Sequence, residues 1–141
     1  MVEQFSQTFT VEGRNFFNAG KASMEIKSIL KQLGINPAVI RRVAIAAYEA
    51  EMNVVMYARR ATITFSITPS TITLFVDDEG PGIPDIPMAM QEGYSTATRE
   101  MREMGFGAGM GLPNIKRNSD ALKIESAVGK GTKLEITINI N

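Results

Sequence analysis

The sequence contains no histidine and no cysteine. Without histidine there is no Ser-His-Asp chemistry, no imidazole general base and no ordinary zinc site. The chain also cannot be its own phosphohistidine acceptor. Without cysteine there is no disulfide, thiol nucleophile or thiolate metal site. Any acid–base step must therefore use a carboxylate, a lysine or a tyrosine. Net charge is lacking too: Lys plus Arg equals Asp plus Glu at 15 each. No global field draws the chain to nucleic acid or to an anionic membrane. No apolar run approaches a membrane span, and Met1-Val2-Glu3-Gln4 has no secretory pattern. The simplest expected location is the cytoplasm. What is present is ordinary for a globular protein, with 44% apolar and 21% charged residues. A length of 141 residues fits one domain, and there is no internal repeat or linker.

Hydrophobic period sorts the chain into elements. Residues 5–12 alternate, with Phe5, Phe9 and Val11 on one face and Gln7 as the exception. From Asn15 to about Leu33 the apolar positions fall at helical spacing, and Gly34 sits where a C-cap glycine belongs. Asn36-Pro37 opens a second helix, expected to reach about Ala58. Its apolar stripe includes Val39, Val43, Ala46, Ala50 and Val54. Glu49 and Asn53 lie together on one flank of that stripe, and Glu51 lies on the other. Such a pair can equally be a solvated helix edge. Residues 61–67 and 71–76 alternate around Thr68-Pro69-Ser70 and predict an antiparallel hairpin. Met88 to Gln91 could make one helical turn. The rest of 84–108 has no period and reads as a lid or a surface loop. A third helix is expected from about Met110 to Asp120. Two further alternating runs, separated by Gly129-Lys130-Gly131, close the pattern. The predicted class is α+β. It is a two-layer α/β sandwich with about five strands in a mixed, mostly antiparallel sheet, covered on one face by three helices.

The stretch Val76-Asp77-Asp78-Glu79-Gly80-Pro81-Gly82-Ile83 carries chemistry. A carboxylate ends a strand, and glycines then let the backbone approach a flat ligand. A polar loop closed by Gly-Pro-Gly is the plainer alternative. Asp77 precedes Asp78, so either could be the key acid; Asp78 has the Asp-x-Gly-x-Gly spacing. Downstream, Gly105, Gly107, Gly109 and Gly111 stand at every second position before Leu112 and a helix. Free N–H groups at a helix start suit an anion. A flexible hinge suits the same residues, and the run matches neither the Rossmann nor the Walker pattern.

Taken in order, Glu49-x-x-x-Asn53, Asp78-x-Gly80-x-Gly82, Gly107-x-Gly109-x-Gly111-Leu112 and Gly129-x-Gly131-Thr132 resemble the four nucleotide-binding boxes of the GHKL ATPases. These include histidine kinases, Hsp90-type chaperones, gyrase and MutL. The resemblance covers roughly residues 35–140. The segment Gly93-Tyr94-Ser95-Thr96 and the N-terminal strand and helix are most similar to the anti-sigma-factor serine kinases of the RsbT type. This resemblance implies the Bergerat, histidine-kinase-like fold, with ATP and Mg²⁺ as ligands. Asp78 would accept from the adenine N6 amine, directly or beside a water held by Thr132. Gly80 and Gly82 would admit the purine, with Ile83 as an apolar wall. Asn53 would bind Mg²⁺ and Glu49 would be the general base. Gly105, Gly107, Gly109 and Gly111, followed by Leu112, would close over the triphosphate. The family often has a cation near these glycines. Here the nearest are Arg99 and Arg102 before them, and Lys116 and Arg117 after.

The function implied is a serine/threonine protein kinase acting on a STAS-domain partner. A sigma factor or another switch protein would be a further partner, and a symmetric dimer is compatible with the family. A non-catalytic, ATP-gated anti-sigma module shares the same fold and pocket. A histidine-kinase catalytic domain is expected to carry a longer lid and a dimerisation helix. An ATPase motor is expected to carry a transducer domain.

Overall fold

A computed structural model describes residues 5–91 and 111–140. The alternating runs form β1 (Phe5–Glu12), β2 (Arg60–Ile67), β3 (Thr71–Asp78), β4 (Ala121–Ala127) and β5 (Gly131–Asn139). Their order across the sheet is β1-β2-β3-β5-β4. Every pairing is antiparallel. β3 and β4 run the same way, but β5 lies between them, so no parallel ladder forms.

Register turns the alternation into rows. Ile63, Val76 and Leu134 sit abreast. Phe65, Leu74, Ile136 and Leu122 form the next row, and Ile67, Ile72 and Ile138 the third. These aliphatic and aromatic side chains, most of them β-branched, meet across the strands and fill one face of the sheet. The opposite face carries hydroxyls: Ser6 pairs with Ser66 at 3.2 Å and Thr8 with Thr64 at 3.1 Å.

The covering layer consists of α1 (Lys21–Gln32), α2 (Pro37–Tyr57) and α4 (Gly111–Arg117), with the single turn α3 (Ile86–Ala89) beside them. The expected caps form. Asn36 accepts from the Ala38 N–H at 2.8 Å, with Pro37 in the first turn of α2. α2 lies on the sheet between α1 and α4, so far more than one stripe of it is buried. Ala46, Ala47 and Ala50 keep its contact side thin enough for close approach. None of the described helices is long and apolar enough to cross a membrane.

The first helix differs from the expected 15–33 span. Phe16–Asn18 form a 3-10 turn, and the α-helix starts only at Lys21. The break is at Gly20, whose φ of +97° is outside the helical region and open chiefly to glycine. Glu51 explains what holds it. Its side chain is 2% exposed, and its carboxylate accepts from the N–H groups of Gly20, Ala22 and Ser23 at 3.0, 3.3 and 2.9 Å. These are orphan donors at the start of α1. A charge on α2 thus caps a helix that begins 30 residues earlier (51 minus 21). Glu51→Ala strands these buried donors. It should cost about 3 kcal/mol, read as a lower urea midpoint at unchanged slope. A shift within the scatter of surface substitutions would remove Glu51 from this role.

Candidate functional site

Two groups of polar residues meet near the C-terminal end of α2. The first is built on the end of β3. Asp78 faces the same way as Val76, into the covered side, whereas Asp77 is exposed. The structure thereby separates two carboxylates that the sequence leaves adjacent. Asp78 pairs in register with Thr132 of β5. Its Oδ1 accepts from the Thr132 N–H at 2.9 Å and from the Gly80 N–H at 3.0 Å. Oδ2 takes no hydrogen bond among the described residues, so the carboxylate is aimed with one oxygen left to accept. Burial raises its pKa above the ordinary aspartate range. The two amides pull the other way, and the Asp77 charge adds to the rise.

Ser126 ties this corner together, and the sequence reading passed over it. Its hydroxyl oxygen accepts from the Ile83 N–H at 2.7 Å and lies 2.8 Å from the Thr132 hydroxyl. It also lies within 3.2 Å of the Gly131 carbonyl, to which it donates. The loop after β3 is so clamped to the β4–β5 hairpin. Gly129 N–H adds a bond to Pro81 carbonyl at 2.9 Å. Gly82 has φ +80°, and a Cβ there would run into the Ala127 carbonyl, so no larger residue fits. Ile83 packs partly buried on the core.

The second group lies on α2 and α4. Glu49 and Asn53 are both half-buried and one turn apart. Gly111 starts α4 directly against Asn53; a Cβ on it would stand 3.0 Å from Asn53 Oδ1. Leu112 is 8% exposed and pins this end of α4 into the core. The Asn114 side-chain amide donates to the Glu49 carboxylate. Burial raises the Glu49 pKa, and that hydrogen bond only partly offsets it. Arg117 donates to Asn114 Oδ1 at 3.3 Å, which brings a guanidinium within one residue of Glu49. Lys116 and Arg117 are exposed at the end of α4. The groups are joined through α2: a Cβ on Gly80 would stand 3.4 Å from Ala58, the C-cap of α2. Gly105, Gly107 and Gly109 lie outside the described residues, as do Arg99, Arg102 and the expected lid.

The fold is thus a two-layer α+β sandwich with an aimed, half-buried acid at the end of β3 and a Glu–Asn edge on its central helix. Residues 18–138 match the histidine kinase-like ATPase domain family, and the chain belongs to it. ATP use follows from that membership. The chain is similar to the serine/threonine-protein kinase RsbT of Bacillus subtilis, 30% identical over 113 residues, which are 77% of this chain and 79% of the relative. It is also similar to the anti-sigma F factor of Clostridium kluyveri, 30% identical over 122 residues, 83% of this chain and 82% of that protein. The anti-sigma F factor of Caldanaerobacter subterraneus subsp. tengcongensis is 38% identical over 93 residues, 66% of this chain and 57% of its own length.

Ser126→Ala leaves the Ile83 N–H without its acceptor and frees the Thr132 hydroxyl. The expected cost is about 1–2 kcal/mol. Faster hydrogen exchange at the Ile83 amide, with the β3–β5 ladder still protected, would localise the loss to the clamp. An unchanged Ile83 amide would show that Ser126 does not hold the loop.

Proposed function

We propose that this chain is an ATP-dependent protein serine/threonine kinase of the partner-switching type, and that its substrate is a serine on a small STAS-domain protein. The observation that carries the proposal is Glu49. It is a half-buried carboxylate on the same edge of α2 as Asn53, in a family member that resembles a serine/threonine-protein kinase over most of its length.

The residues suit the ligands. Asp78 would take the adenine amine on Oδ2 while the Thr132 and Gly80 amides hold Oδ1. A guanine would present a carbonyl to that oxygen and is disfavoured. The Gly80–Gly82 backbone would lie against the purine, and Gly111 would stand at the phosphate end with Gly105, Gly107 and Gly109. Asn53 offers one neutral oxygen. Among the described residues no cluster of His, Cys, Asp or Glu could form a metal cage. One side-chain oxygen, with phosphates and waters as the other ligands, fits Mg²⁺, which would supply charge neutralisation. Glu49 would take the proton from the serine hydroxyl as the new O–P bond forms and ADP departs. Asn114 orients the carboxylate. Chemistry of this kind is chiefly positioning and electrostatics.

A second reading is that the chain binds a sigma factor or its antagonist under ATP control without phosphorylating it; the name of the anti-sigma F relatives supports the binding part of that reading. Glu49→Gln discriminates. Under the kinase reading, ATP and partner binding survive while phosphoryl transfer falls by about two to four orders of magnitude. The measurement is a phosphoprotein assay on a STAS-domain protein encoded near this chain, beside a binding assay. A wild type that binds ATP and that protein yet transfers nothing with any metal would leave the sequestering reading in its place.

Two further outcomes belong to the site. Asp78→Asn keeps an acceptor for both backbone amides but sets a donor against the adenine amine, so calorimetry should show ATP affinity strongly reduced in a folded protein. Asn53→Ala should weaken ATP binding far more with Mg²⁺ than in EDTA; an equal drop would make Asn53 structural. An acid with a raised pKa stays protonated where an ordinary glutamate has ionised. The acid limb of kcat/KM should therefore lie above the ordinary glutamate range. Asn114→Ala removes the bond that lowers the Glu49 pKa, so it should move that limb to higher pH.

A further inference from the structure

A groove of about 710 Å³ runs along the outer surface between α1 and α2, away from the Asp78 corner. Its α2 wall recurs at three- and four-residue steps, in one row from Pro37 through Ile40 and Ala44 to Tyr48 and in a neighbouring row from Arg41 through Ile45 to Glu49. α1 and α2 are joined by a short turn and are antiparallel, so Ser23 and Met24 stand opposite the Tyr48–Glu49 end. Tyr48 lies 3.7 Å from the position a Cβ on Gly20 would take, which places it over the start of α1. The floor is apolar, and Met24 and Tyr48 remain 71% and 44% exposed. At the other end the charges are of one sign. Lys27, Lys31 and Arg41 line the groove, all exposed, and none makes an ion pair among the described residues. Glu49 is the one acid in the groove wall.

This polarity says what would lie there. An apolar floor with a cationic end fits a helix with an apolar stripe and acidic residues at one end. The groove is also continuous with the site, because Glu49 belongs to both. From Arg41 to Glu49 is eight residues of helix (49 minus 41), or about 12 Å. We propose that the α1–α2 groove is the docking site for an acidic, amphipathic helical segment of the protein substrate. Its acidic residues sit on Lys27, Lys31 and Arg41, and the acceptor hydroxyl lies at the Glu49 end. The proposal rests on the kinase reading only for the hydroxyl; the docking stands without it.

The probe is a fluorescein-labelled helical peptide with leucines along one face, three glutamates at one end and a single serine about eight residues away. A second peptide carries lysines in place of the glutamates. The full chain, loaded with ATP, should bind the glutamate peptide at least about tenfold more tightly than the lysine peptide, with a preference that shrinks in high salt. Lys27→Glu/Lys31→Glu/Arg41→Glu should invert the preference, and Ala44→Arg should block both peptides by filling the floor. ATP affinity should be unchanged in every variant, which confirms that each is folded. Absence of glutamate-peptide binding to the wild type, or binding untouched by both variants, overturns the proposal. The serine separates the two readings. Charge-dependent binding without phosphate on the serine supports docking and counts against the kinase. Phosphorylation that is equal in wild type and the charge-reversed variant keeps the kinase and overturns the docking.

Discussion

One hydrogen bond sets the geometry of the candidate site: the Thr132 N–H gives its proton to Asp78 Oδ1 at 2.9 Å. At this point in the sheet a main-chain donor serves a side chain. It can do so only because β5 is in register with β3, so that Thr132 lies opposite Asp78. The second donor, Gly80 N–H, comes from the loop that follows. Together they fix which oxygen points into the protein and which is left to a ligand. The same contacts limit the cost of burying the charge, without removing it, since burial still dominates the raised pKa.

The second half of the site depends on α2 being held from several sides. Its apolar residues bind it to the sheet, but its polar ones determine its neighbours. Glu51 fastens the start of α1 with three backbone bonds. Glu49 fastens α4 through Asn114. Two carboxylates on one helix, two residues apart, therefore have separate structural partners. One is sealed into the interior, and the other stays half-open where α1, α2 and α4 converge. A fully sealed acid is a poor candidate for proton transfer to an incoming substrate, and a fully solvated one gains no raised pKa.

Much of this was legible in the sequence. The strands could be read because period-two alternation persists in β2, β3 and β5, and the α2 start because Asn36-Pro37 is a local signal. The Asp78–Gly80–Gly82 corner could be read because turn chemistry is local as well. What escaped is non-local. Ser126 touches Ile83, 43 positions away, and Glu51 touches Gly20, 31 positions away. An acid between Ala50 and Met52 shows no period of its own that reveals a distant helix end. Gly20 was the available clue, since a glycine inside an otherwise helical stripe marks a break. The choice between Asp77 and Asp78 needed the pleat, which sends them to opposite faces. The sheet was expected to be mixed and mostly antiparallel. The insertion of β5 between β3 and β4 overturns the mixed part: all pairs among the described residues are antiparallel.

That insertion has a temporal consequence. β5 follows β4 in the chain yet occupies the interior of the sheet, so β4 has no strand to join until β5 arrives. Thr132, which aims Asp78, comes with the same strand. A partly synthesised or partly folded chain can hold α1, α2 and the β1–β3 meander while its acid is still unaimed. Competence to grip a ligand at Asp78 is thus acquired late, after the non-local pairing that is slow to find. Once acquired, it would report that the sheet is complete, and a ligand held there would favour the finished fold over its intermediates.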